Sequence, residues 1–90
     1  MSIEINLATY LQPYAGNKEM IEVNGSTVEG CINDLVKQFP AIKNMLLNED
    51  GKVLPYVNTF LNDEMIYPDD LSTPVKDNDE IYLLYLIDGG

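Results

Sequence analysis

Only one stretch of this sequence carries the period of a long amphipathic helix, and that restricts the fold sharply. Val28, Ile32, Leu35 and Phe39 recur at helical spacing and form one apolar stripe, with Cys31 and Val36 at its flank. Ser26, with Glu29 three residues on, predicts a capping box in which each side chain meets an otherwise orphan backbone donor. Pro40 sets the end, because the residue before a proline is pushed out of helical geometry. Gly30 inside the helix costs about 1 kcal/mol against Ala and suggests close packing on a sheet. A lone helix with one apolar stripe needs a flat surface to bury it.

The flanking segments supply that surface. Ile3-Glu4-Ile5-Asn6-Leu7 alternates apolar and polar, the signature of a half-buried strand. Tyr10 to Asn17, with Pro13 and Gly16, reads as a turn or loop. Met20 to Val23 is β-prone and closed by Asn24-Gly25, which predicts an N-terminal hairpin. After the helix, Ile42, Met45 and Leu46 predict a short helical turn, and Asn48 to Pro55 a polar loop. Tyr56 to Asn62 is a strand candidate, Met65-Ile66-Tyr67 a short edge strand, and Glu80 to Ile87 the most apolar strand of all. Strands with one crossover helix packed on one face make a two-layer α+β domain. If the first and last strands lie side by side in the middle, the arrangement is the β-grasp.

Alternation places Ile81, Leu83 and Tyr85 on one face of the last strand, and Tyr82, Leu84 and Leu86 on the other. Both faces are apolar, yet one helix covers only one. Either the Asn48 to Pro55 loop covers the second face, or that face is an exposed partner-binding patch.

Composition narrows the chemistry. Fifteen Asp plus Glu against five Lys, with no Arg, give a formal net charge of −10. That argues against nucleic-acid binding and favours steering towards a basic partner surface. Histidine is absent, which removes the commonest general base and every Ser-His or Cys-His nucleophile pair. A single cysteine and no histidine leave no zinc site, and Cys31 reads as a small buried hydrophobe. Asp63-Glu64 and Asp69-Asp70 read as solvated turn residues, without calcium-loop spacing around them. No apolar run approaches the ~20 residues of a membrane span, and the start has no secretory-signal pattern. A reducing, cytoplasmic setting is expected.

The chain ends Ile87-Asp88-Gly89-Gly90. Without a Cβ, a Gly-Gly tail can thread a narrow channel and present an unhindered α-carboxylate. Such a carboxylate becomes an acyl donor once activated, for example as a mixed anhydride with AMP.

In its combination of features the sequence resembles the ubiquitin-like sulfur carriers, the group of the molybdopterin synthase small subunit and the thiamin-pathway sulfur carrier. The features are Gly25-Ser26-Thr27-Val28 entering the helix, Leu35 and Phe39-Pro40 at its end, Tyr56-Val57-Asn58, Asn62-Asp63-Glu64, Asp77-Asn78-Asp79-Glu80-Ile81 and terminal Gly89-Gly90. Tyr56 to Glu64 and the long loop before it look most like carriers serving cysteine or homocysteine biosynthesis. The chain departs from the molybdopterin branch in having Tyr85-Leu86 where prolines are usual, and from the usual pattern in its spacer Asp88.

The resemblance implies a β-grasp domain over residues 1–87, with a mixed sheet and one main helix on one face, and a flexible tail over 88–90. It implies a carrier rather than an enzyme. Gly90 would be adenylated by a ubiquitin-activating-type enzyme using ATP and Mg, and would then carry sulfur as a thiocarboxylate. Gly89 would give access, and Tyr82, Leu84 and Leu86 would dock partners. A second enzyme would accept the sulfur for molybdopterin, thiamin or sulfur amino acid synthesis. The chain itself would bind no cofactor, metal, nucleic acid or membrane, and would be monomeric when free. The alternatives are a protein modifier joined to lysines through Gly90 and a noncatalytic interaction subunit.

Overall fold

The computed structural model describes residues 2–85. Five strands form one mixed sheet: β1 (Ile3–Leu7), β2 (Met20–Val23), β3 (Val57–Leu61), β4 (Glu64–Ile66) and β5 (Glu80–Tyr85), in the spatial order β2-β1-β5-β3-β4. The central β1 and β5 run parallel, while β1–β2, β5–β3 and β3–β4 pair antiparallel. The first and last strands thus lie side by side, as the β-grasp reading requires. The β3–β4 hairpin turns on Asn62 and Asp63 at φ 50° and 75°, the left-handed pair that suits the right-handed twist of the strands. Ile87, expected at the end of the last strand, lies outside the described residues.

Helix α1 (Val28–Gln38) lies on one face and buries Val28, Cys31, Ile32 and Leu35, while Val36 and Phe39 pack half-buried against that core. Opposite them, Ile3, Ile5, Leu7, Ile21, Val23, Val57, Ile81 and Leu83 complete the core. Each fully buried side chain of this size contributes about 1.5–3 kcal/mol. A short helix α2 (Lys43–Leu46), with a 3-10 turn before it, adds buried Ile42 and Leu46.

Three local expectations need correction. The helix cap is Thr27, not Ser26: the Gly30 N–H donates to Thr27 Oγ1 at 3.0 Å. The reason is tertiary. Thr27 forms a β-bridge with Pro74, and the Ser26 carbonyl accepts from the Val75 N–H. Starting one residue later puts Glu29 in the second helical position, so it does not close a capping box. The Val28 and Glu29 amides donate instead to the Thr73 and Leu71 carbonyls. The residues 71–75 thereby occupy the helix N-terminus.

The segment expected as a loop over Tyr10 to Asn17 contains a 3-10 helix, Thr9–Ala15, that buries Leu11 and Ala15 completely. Its three-residue turn leaves no stripe at the 3.6-residue period. The close approach expected at Gly30 falls at Gly25, where an added Cβ would sit 2.7 Å from the Cys31 backbone nitrogen.

At the entry to β5, the Asp79 carboxylate accepts from Asn62 Nδ2 and from the Lys76 N–H, each at 2.9 Å. The Asn62 side chain, followed by nearby Lys76, holds that carboxyl below its usual range. Asn62 Oδ1 accepts in turn from the Glu80 N–H at 2.9 Å, tying the β3–β4 turn to the start of β5. Among the described residues, no buried side-chain polar atom lacks a partner.

Candidate functional site: the outward sheet face and the end of the last strand

The burial of β5 alternates as its sequence pattern requires. Ile81 and Leu83 are sealed against the helix, and Tyr85 on the same side is half-buried. On the outward side Tyr82 is 42% exposed and Leu84 half-buried. The Asn48 to Pro55 loop does not cover them. Asn48, Lys52 and Val53 instead line a cleft of about 290 Å³ with Glu29, Ile32 and Asn33 of α1, in the helix layer. Of the predicted site residues, the structure brings Tyr82 and Leu84 onto one open face. Leu86, Gly89 and Gly90 lie outside the described residues.

Register extends this face beyond β5. Asn6 stands beside Met20 and Tyr82, and Phe60 beside Tyr82 and Met65. One row therefore crosses all five strands as Met20, Asn6, Tyr82, Phe60 and Met65. Met20 and Met65 are exposed and Phe60 is half-buried. Methionines and aromatics make adaptable apolar contact surface. Leu84, opposite Asn58, stands one row nearer the C-terminal end of β5.

That end is held by tyrosines, a feature the sequence reading missed. Strand β1 stops at Leu7, and the last β1-side ladder bond runs from the Ala8 N–H to the Leu83 carbonyl. The backbone groups of Tyr85 point the same way, past the end of β1. Tyr10 takes their place: its hydroxyl accepts from the Tyr85 N–H and donates to the Tyr85 carbonyl. The two rings lie 4.8 Å apart, and Tyr56 meets Tyr85 edge-on at 5.2 Å. The Tyr85 hydroxyl donates to the Met45 carbonyl at 2.9 Å. Burial pushes the Tyr85 phenol above its ordinary value, with Tyr56, Tyr14 and Tyr10 adding to the shift, so it remains a neutral donor. Contacts across 75 residues leave no trace in local periodicity; the only sequence signal is the concentration of tyrosines at 10, 14, 56 and 85.

No reactive centre is assembled on this face. Cys31 is fully buried, and burial first, then the Asp34 and Asp79 charges, push its thiol up. It remains a thiol, the poorly nucleophilic form. Among the described residues, no His, Cys, Asp and Glu grouping can hold a metal ion. The arrangement offers an apolar surface beside a firmly held strand end that leads directly into residues 86–90.

Comparison with curated protein sequences returns no match. Solved structures do match over nearly the whole chain. SAMP1 from Haloferax volcanii is 26% identical with a TM-score of 0.87, covering 100% of both chains. The Amycolatopsis orientalis BexX/CysO complex matches at 29% identity and TM-score 0.86, over 98% of this chain and 99% of that one. Mycobacterium tuberculosis CysO, described as an antigen, matches at 26% identity and TM-score 0.83, over 94% of this chain and 99% of that one. These likenesses bear out the ubiquitin-like β-grasp fold. The family model described as the ThiS family matches residues 5–90, so the chain belongs to the ThiS family, as a ubiquitin-like sulfur carrier or modifier.

Proposed function

We propose that the chain is a sulfur carrier that works through Gly90 in the cytoplasm. A partner of the ubiquitin-activating type would join the Gly90 carboxylate to AMP, using MgATP and releasing pyrophosphate. Sulfide-level sulfur would then displace AMP, leaving a C-terminal thiocarboxylate. A second enzyme would take the sulfur into molybdopterin, thiamin or a sulfur amino acid. In this reading, residues 1–87 are the docking body and 88–90 the reactive tail. Gly89 leaves room for an active-site channel, and Tyr82, Leu84 and Leu86 anchor the body.

The observation that carries this reading is the apolar outward face of β5, which leads straight into residues 86–90 within a family match running to Gly90. The co-complex of CysO with BexX in a similar structure supports a protein partner. The absence of histidine and the buried state of Cys31 support leaving the chemistry to that partner. Deleting Gly90 tests the assignment: thiocarboxylation by the cognate adenylating enzyme should vanish, with the thermal midpoint unchanged. A truncated chain that still accepts sulfur would overturn it.

The likeness to a small archaeal modifier protein favours one further reading, attachment of activated Gly90 to lysines. A ladder of heavier conjugates in cell extract, lost on deleting Gly90, would establish that use.

A further inference from the structure

The outward face of the sheet is uneven in charge along its strands. Glu4 stands opposite Glu22 on one side and opposite Glu80 on the other, so three carboxylates share one row across three strands. Glu22 and Glu80 are exposed, and Glu4 is half-buried. Like charges directly opposite one another destabilise a sheet. None of the five lysines, at 18, 37, 43, 52 and 76, belongs to β1, β2 or β5. The three carboxylates do not form a group that can hold a metal ion. The free domain therefore sets three like charges in one row, with no lysine in those strands, on the face that also bears its apolar row.

Resting on the carrier reading above, we propose that this acidic row orients docking and is matched by lysine or arginine side chains of the adenylating enzyme. The apolar row fixes contact but not direction. It has a methionine at each end, Met20 and Met65, with Asn6, Tyr82 and Phe60 between, so a half-turn of the carrier offers a similar surface. The glutamates remove that ambiguity. Along β5 the outward residues run Glu80, Tyr82, Leu84, and the tail follows. Glu80 thus lies about 13 Å from Leu84, at ~3.3 Å per residue, at the end of β5 opposite the one from which the tail continues. Basic groups at the matching place on the enzyme, remote from its active site, accept only the orientation that sends the tail inward. Charges so placed act chiefly on association rate and on rejection of wrong orientations.

The test is the triple variant Glu4→Gln, Glu22→Gln, Glu80→Gln, measured by stopped-flow association with the purified cognate adenylating enzyme, beside Leu84→Ala. The association rate of the triple variant should fall about tenfold at low ionic strength and only about twofold in ~0.5 M salt, where exposed charges are screened. Its thermal midpoint should equal or exceed that of the parent, because a repulsion is removed. Wild-type association of the triple variant at low salt, with Leu84→Ala weakened, would overturn the acidic row and leave the docking face standing. An equal loss at every salt concentration, with a lowered midpoint, would also overturn it, making the row structural. Unchanged binding of Leu84→Ala would instead remove the docking face itself.

Discussion

Tyr10→Phe isolates the clasp at the end of β5. The substitution keeps the ring and its 4.8 Å contact with Tyr85, but deletes the one hydroxyl that serves both the N–H and the carbonyl of Tyr85. Tyr10 is 36% exposed, so water replaces part of what is lost. The expected cost is about 1 kcal/mol, the net value of an intramolecular hydrogen bond rather than the full penalty of a buried orphan. The effect should be local. Amide exchange at Tyr85 should quicken about fivefold, since 1.4 kcal/mol corresponds to tenfold. Exchange at Leu83, inside the β1–β5 ladder, should not change. Thiocarboxylation should lose kcat/KM while the dissociation constant of the docked complex stays the same, because the outward row is untouched. Unaltered exchange at Tyr85 would refute the clasp, as would equal acceleration along all of β5.

Gly25→Ala should destabilise the fold by about 1–3 kcal/mol in urea denaturation, because its Cβ would lie within 2.9 Å of both the Cys31 nitrogen and Sγ; an unchanged midpoint would disprove the close approach of Gly25 to α1. Asp79 gives a pH signature. Its folded-state value lies below its unfolded one, so its contribution is complete above the unfolded value near ~3.9 and is lost as pH falls through the folded value. The stability gap between the parent and Asp79→Asn should therefore narrow below about pH 4 in melts against pH, and a constant gap would show the carboxylate is not responsible. Cys31→Ser should leave sulfur transfer intact in a folded protein, measured by mass, since the thiol is buried; loss of transfer would give that thiol a chemical role.

Much of the two-layer plan was legible because burial repeats with the period of each element. Val28, Ile32 and Leu35 mark the helix, and Ile3, Ile5 and Leu7 mark one face of β1 by spacing alone. The alternation in β5 likewise separated buried Ile81 and Leu83 from exposed Tyr82. What escaped depends on partners distant in the chain. Thr27 caps the helix in place of Ser26 because Pro74 and Val75 hold Thr27 and Ser26 just before the helix start. Tyr10 meets Tyr85 only after β1 and β5 have paired. The row of Glu22, Glu4 and Glu80 exists only in the register of three strands, and a one-residue slip would remove it.

The central claim is that Gly90 carries sulfur, and intact-protein mass tests it most directly. The chain would be incubated with its cognate adenylating enzyme, MgATP and a sulfur source, then fragmented to locate any change. Exchange of one carboxylate oxygen for sulfur should add about 16 Da, confined to the C-terminal residue and dependent on ATP. An unchanged mass with an enzyme that demonstrably adenylates the chain, or a gain located at Cys31, would contradict the account.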